Sequence, residues 1–259
     1  MEHMTNAEKA RTLTGLYEAQ EIIFVVNIWD VVSAKAVAAL PGTTALATAG
    51  HSIAASFGYP DGQIPRDLML DMVGRIADAV ELPVSADLDD GYGDAGETIR
   101  RAIGVGIVGA NVEDRLGPLA ESVAQVEAMV AAGAAEGVDF ALNARTDAIV
   151  RGGDKPLADK LADAIERGRA YLAAGATCVF IPGILDADAT RTLVDGIGRG
   201  KISVIGLPGA LTSTEYEALG VARISYGPVP QRVTLTRLQD LATDLYAGGV
   251  IPEGTRALN

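Results

Sequence analysis

Asp87, Asp89, Glu113 and Arg145 are residue types whose spacing could assemble a cation site beside an anion site. Asp87 and Asp89 end the run Ser85-Ala86-Asp87-Leu88-Asp89, and strand alternation predicts both carboxylates on one face. Glu113 ends a second run, Asn111-Val112-Glu113, and neighbouring strands lie only about 4.8 Å apart, so it is expected beside that pair. Crowded carboxylates repel one another and raise their own pKa values. A hard dication relieves the repulsion, and Mg2+ typically takes one or two carboxylates plus water and substrate oxygens. Any one of these acids alone reads as a solvated loop residue or a helix cap. Together they read as ligands for Mg2+ or Mn2+. Arg145 ends a third run, and its planar fork suits a carboxylate or phosphonate. An ion pair with Asp114 or Asp147 is the equal alternative.

The neighbouring polar residues carry less. Asp90 reads as a turn former, and Asp114 as a helix cap or a support behind a ligand. His51 follows a strand and could reach the same site or be an ordinary polar loop residue; His3 lies at the terminus. Cys178, the one cysteine, sits in Cys178-Val179-Phe180-Ile181 and reads as a buried, inert thiol. Gly104-Val105-Gly106-Ile107-Val108-Gly109 matches a dinucleotide fingerprint literally. It would close a helix and open a strand, the reverse of the order such a motif needs.

The elements that must position these groups alternate. Strands are expected at 22–27, 45–48, 83–89, 109–113, 140–145, 178–182, 203–206 and 223–226. Helices are expected near 31–39, 66–80, 95–104, 119–135, 157–174, 187–198, 213–219 and 231–246. Eight strand–helix units make a parallel (β/α)8 barrel, whose chemistry gathers at the C-terminal strand ends. An extra helix near 6–19 would cap the barrel bottom. No composition shift divides the chain, so one catalytic domain over residues 1–259 is expected, with 151–156 as a barrel loop rather than a hinge.

Composition sets the limits. The 259 residues are 49% apolar and 21% charged, with Trp29 the one tryptophan. The net charge of −13 argues against nucleic acid and against anionic membrane surfaces. A local cluster of metal and arginine could still hold an anion. No apolar run reaches the roughly 18 residues of a membrane span. The opening 20 residues show no signal peptide, so a cytoplasmic location is expected.

Ala86-Asp87-Leu88-Asp89-Asp90-Gly91-Tyr92-Gly93 is similar to the Asp-x-Asp-x-Gly-Tyr/Phe-Gly signature of the isocitrate lyase / phosphoenolpyruvate mutase superfamily. Further stretches resemble it in register: Asn27-Ile28-Trp29-Asp30, Phe57-Gly58-Tyr59-Pro60-Asp61, Gly109-Ala110-Asn111-Val112-Glu113-Asp114 and Asn143-Ala144-Arg145-Thr146-Asp147. The resemblance runs from Asn27 to Gly248. It implies a Mg2+-dependent barrel that binds a small anionic 2-oxo acid and stabilises an enolate. Asp87 would ligate the metal directly, and Asp89 and Glu113 through water. The backbone amides of Ala49 and Gly50 would cradle the substrate, Arg145 would pair with its anionic end, and Asp61 would sit in the active-site loop. It also implies a homotetramer built from dimers that exchange the last helix.

The departures bear on the reaction. The cysteine-bearing lid of isocitrate and methylisocitrate lyases has no counterpart, so turnover of those substrates is expected to be undetectable or trivial. The longer lid of the mutases is also missing, and Pro182 stands where they carry a histidine. The leading expectation is a carbon–carbon lyase, decarboxylase-like, on a 2-oxo acid or substituted malate. Phosphonate chemistry and a non-catalytic 2-oxo acid binder are the alternatives.

Overall fold

The computed structural model describes residues 4–19 and 21–258. In chain order its elements are α1 (Asn6–Glu18), β1 (Ile23–Val25), β2 (Asn27–Ile28), α2 (Val31–Ala38), β3 (Leu46–Thr48), α3 (Gly50–Ser56) and α4 (Arg66–Asp78). Then come β4 (Val84–Asp87), α5 (Ala95–Gly104), β5 (Gly109–Glu113), α6 (Leu119–Ala135), β6 (Ala141–Arg145) and α7 (Leu157–Ala173). The last are β7 (Cys178–Phe180), α8 (Ala187–Ile197), β8 (Ile202–Ile205), α9 (Ser213–Leu219), β9 (Arg223–Ser225) and α10 (Val229–Tyr246).

All pairings are parallel, in the order β1-β9-β8-β7-β6-β5-β4-β3-β2. β1 and β2 are two halves of the expected first strand, interrupted at Val26. β1 pairs with the last strand and β2 with β3, so the broken strand closes an eight-position (β/α)8 barrel. Asn27 staples the break: its Oδ1 accepts the amides of Tyr226 at 2.6 Å and Gly227 at 2.8 Å. Its Nδ2 donates to the Thr48 carbonyl at 2.8 Å.

Strands are buried on both faces, as a sheet enclosed by helices requires. The helices begin where their sequences say they should. Thr5 and Thr212 form capping boxes with Glu8 and Glu215, while Asp94 and Asp186 cap α5 and α8. α1 crosses the barrel bottom. Leu13 packs so closely on Gly109 that a Cβ there would lie 2.8 Å from it, and the Tyr17 hydroxyl accepts from buried Arg223 at 2.8 Å. Gly104, Gly106 and Gly109 close α5 and open β5, with Gly106 at φ +93°, as expected of a cap and turn.

Two elements differ from expectation. α3 was not foreseen; it is short and no side chain caps its start. β4 ends at Asp87, so Asp89 lies beyond the strand. α10 starts at Val229, with Pro230 tolerated in its first turn, and Gln231 is its one buried residue. No described helix is long and apolar enough to cross a membrane.

Candidate active site

The C-terminal strand ends surround a cavity of about 590 Å³. Strand ends and the loop after β4 contribute Asp87, Asp89, Asn111, Glu113, Arg145 and Phe180; α3, the loops and α10 contribute His51, Asp61, Arg115, Arg151, Pro182 and Arg232. His3 lies outside the described residues.

Asp87 is fixed from two sides. Its amide donates to Thr48 Oγ1 at 2.9 Å, and its Oδ2 accepts the Gly50 amide at 2.8 Å. Barrel atoms strip most of the water from this carboxylate although it opens on the cavity. That burial, with Asp89 beside it, pushes its pKa up to about 7 against the pull of Arg145. Asp89 joins it by a different route from the strand alternation that predicted it. Past the strand end the chain turns through left-handed conformations at Asp89 (φ +50°), Gly91 (+85°) and Tyr92 (+56°). The Asp89 side chain thereby comes back toward Asp87. A Cβ on Gly50 would sit 3.1 Å from Asp87 Oδ2 and 3.3 Å from Asp89 Oδ1, so both carboxylates close on one backbone point. Tyr92 donates its hydroxyl to Asp89 Oδ2 at 2.6 Å. Burial still holds the Asp89 pKa above the usual carboxylate range.

Glu113 is tied to this loop by its amide, which donates to the Asp89 carbonyl at 2.8 Å. Its carboxylate turns to arginine, with Arg145 Nη1 at 2.7 Å from Oε2, and Arg115 Nε at 3.3 Å and Arg151 Nη2 at 4.0 Å from Oε1. Burial raises its pKa, and Arg145 opposes the rise. Arg145 also donates Nε to Asp147 Oδ1 at 2.8 Å and lies over Phe180, 5.9 Å from the ring centre. Burial works against its charge, but Glu113 and Asp147 hold its pKa up. Its structural pairing is therefore with Asp147, while Asp114 accepts from Tyr171 at 2.6 Å and Arg167 at 3.1 Å. Asp90 accepts the Tyr92 amide at 3.1 Å, the turn role expected of it.

Among the described residues, no three acidic, histidine or cysteine side chains converge into a complete metal cage. The Asp87–Asp89 pair nevertheless suits a hard dication that takes one or two carboxylates and fills its other positions with water and ligand oxygens. The two acids are desolvated and raised in pKa, and both lie against Gly50.

His51 Nδ1 lies 3.4 Å from Asp61 Oδ2, and its Nε2 lies 3.5 Å from Arg232 Nη2. The Ala49 and Gly50 amides, expected to cradle substrate, are engaged within the protein. Ala49 donates to the Ile28 carbonyl at 3.0 Å, and Gly50 to Asp87. The physical reason at Gly50 is that an electron-rich carboxylate recruits the nearest donor. Cys178 is buried, its thiol pushed up to about 12 by desolvation.

Sequence reasoning overlooked Arg151, Arg115, Arg232 and the Tyr92 hydroxyl. Arg151 had a local signal, four residues after Asp147. Arg232 had none, because 181 residues separate it from His51.

A family profile described as phosphoenolpyruvate phosphomutase matches residues 13–246. The chain belongs to this family. It sits within the isocitrate lyase / phosphoenolpyruvate mutase superfamily, as the motifs suggested. An uncharacterized protein of Mycobacterium tuberculosis is 31% identical over 236 residues, covering 90% of this chain and 88% of its own. An oxaloacetate decarboxylase of Rhodopseudomonas palustris is 34% identical over 188 residues, covering 68% of this chain and 64% of its own. The crystal structure of a Burkholderia cenocepacia protein, provisionally named a phosphonomutase, superposes with a TM-score of 0.85. It is 36% identical, covering 91% of this chain and 99% of that one. Named members of the phosphoenolpyruvate phosphomutase family and its superfamily are thus lyases and mutases.

Proposed function

We propose that the protein is a Mg2+-dependent lyase that cleaves a carbon–carbon bond of a small 2-oxo acid or substituted malate by way of an enolate. The observation that carries this reading is the desolvated Asp87–Asp89 pair facing Arg145 across one cavity. A dication held there would act as a Lewis acid toward the 2-oxo group and lower the cost of the enolate. Asp87 and Asp89 would hold it, with Glu113 reached through water. Arg145, fixed by Asp147 and Phe180, pairs with the anionic group that departs and orients the bond to be broken. In a 2-oxo acid the electron pair of that bond flows into the enolate as the anionic group leaves, and the carbon left behind takes a proton. In a substituted malate the 2-hydroxyl would give up its proton as the bond breaks, and the departing carboxylate fragment would carry the pair as its enolate and take the proton. His51, oriented at Nδ1 by Asp61, is the residue positioned to hold that proton. Phe180 and Ile205 give the cavity an apolar wall that keeps water from the reacting carbon. The oxaloacetate decarboxylase relative supports decarboxylation as the form of cleavage.

A panel of 2-oxo dicarboxylates and substituted malates, read by pyruvate formation with and without Mg2+, tests the proposal. Turnover should require Mg2+ and vanish in Asp87→Ala. Oxalate, planar like the enolate of pyruvate, should inhibit in the presence of Mg2+; failure to bind would defeat the enolate reading. Phosphonate chemistry is the second reading, supported by the family description and by the arginines lining the cavity. Release of inorganic phosphate from phosphonopyruvate would favour it.

A further inference from the structure

Asp147 is fully buried and grips two arginines at once. Its Oδ1 accepts Arg145 Nε at 2.8 Å, and its Oδ2 accepts Arg151 Nε at 2.8 Å. The carboxylate is itself immobilised, because the Asp147 amide donates to Asp114 Oδ1 at 3.0 Å. One turn of chain, closed by the Arg151 amide on the Asp147 carbonyl at 2.8 Å, brings Arg151 back over the residue that holds it. The result is a yoke: two guanidiniums side by side, each anchored at Nε, with their Nη groups directed to the Glu113 side of the cavity.

The second arginine has little structural reason to be there. Asp147 is already paired with Arg145, and the Arg151 side chain is 51% exposed, where an extra ion pair adds little stability. Its terminal nitrogens make no hydrogen bond among the described residues, and its Nη2 lies 4.0 Å from Glu113 Oε1. Arg151 nevertheless lines the cavity, as does Arg115, two residues beyond Glu113, whose Nε is shared between Asp90 Oδ2 at 3.2 Å and Glu113 Oε1 at 3.3 Å. On the function proposed above, Glu113 also shares its charge with a cation, which leaves the Nη groups of Arg151, 4.0 Å from it, with positive charge to spare.

We propose that Arg151 is a specificity-determining residue that, yoked to Arg145 by Asp147, binds a second anionic group of the substrate, a carboxylate or phosphonate one carbon beyond the 2-oxo carbon. The proposal rests on the 2-oxo acid reading and deepens it, restricting the substrate to compounds anionic at both ends. A bidentate charged contact of this kind is worth on the order of tenfold to a hundredfold in affinity.

Three probes share the lactate skeleton: lactate, malate and 3-phosphonolactate. Their binding is measured by calorimetry with Mg2+ to wild type, Arg151→Gln and Arg151→Lys. Wild type should bind malate or phosphonolactate at least about tenfold more tightly than lactate. Whichever of the two binds more tightly identifies the terminal group. Arg151→Gln should lower that preference about tenfold, to what Arg145 alone supplies, and leave lactate within about twofold, and Arg151→Lys should recover part of it, as a point charge without the fork does. If lactate binds and Arg151→Gln keeps the full preference, or weakens lactate and malate alike, the clamp is wrong and the 2-oxo acid reading stands. If neither lactate nor oxalate binds wild type with Mg2+, the underlying reading falls and this inference falls with it.

Discussion

Asp87 shows how much of this site is decided by single side chains. Its raised pKa means that the folded protein binds a proton more tightly than the unfolded chain does. The stability this lends is complete below the ordinary value of 3.8 and is lost as pH rises through about 7. Above that pH, without a cation, the ionised carboxylate weighs against folding beside Asp89 and Glu113, with Arg145 offsetting part of the cost. In EDTA, Asp87→Asn should therefore melt several degrees above wild type at pH 8 and close to it at pH 5. Mg2+ should remove the difference by stabilising wild type alone. A wild type that gains stability from pH 5 to 8 in EDTA, relative to Asp87→Asn, would contradict the assignment of this pKa. Asp87, Glu113 and Arg145 were legible in the sequence because they end strands, and strand ends are where a barrel gathers its chemistry. Arg115 and Arg151, the other arginines beside Glu113, were not, since an arginine in a loop has no register to betray its direction.

The loop after β4 does work at the level of the element that the strand pattern did not disclose. Alternation along residues 83–89 predicted two aspartates on one face of a continuous strand. The strand stops at Asp87, and a run of left-handed residues returns Asp89 to the same place. The outcome was readable and the means was not, because a left-handed aspartate or tyrosine is set by surroundings rather than by its own preference. Gly91 is the hinge of that turn. At φ +85°, a Cβ there would lie 2.6 Å from the Ala95 Cβ and 2.9 Å from its Cα, so substitution meets both strain and a clash with α5. Gly91→Ala should cost about 2 kcal/mol or more in urea unfolding and weaken Mg2+ binding through Asp89. An unchanged midpoint would show that the turn relaxes freely. β5 runs into α6 through the short segment 114–118, in which Arg115 (φ +47°) and Leu116 (+58°) are also left-handed. A compact, strained segment thus joins β5 to α6 at the mouth of the cavity.

At the scale of the molecule, the barrel itself was the most legible feature, since eight alternations of strand and helix admit few other arrangements. Its last helix was legible only as a helix. α10 exposes Val233 at 55%, Leu235 at 55% and Leu238 at 59%, more apolar surface than a helix in water ordinarily keeps. A second copy of the chain is the partner expected there. Light scattering at micromolar concentration should give a dimer or tetramer, with a shift toward monomer in the double variant Leu235→Glu, Leu238→Glu; a monomeric wild type would rule the assembly out. Closure of the ring raises a separate matter of timing. The broken first strand meets the last across nearly the whole chain, and at the mouth that meeting depends on the Asn27 side chain, 199 residues from Tyr226. Two main-chain amides thus owe their protection to one side chain instead of to a ladder. In deuterium exchange, Tyr226 and Gly227 should be slow in wild type and become fast in Asn27→Ala while the amides of β5 and β6 stay slow. The seam would then be the place where the barrel breathes, and the rhythm of its opening would bound how quickly anything enters or leaves between β2 and β9.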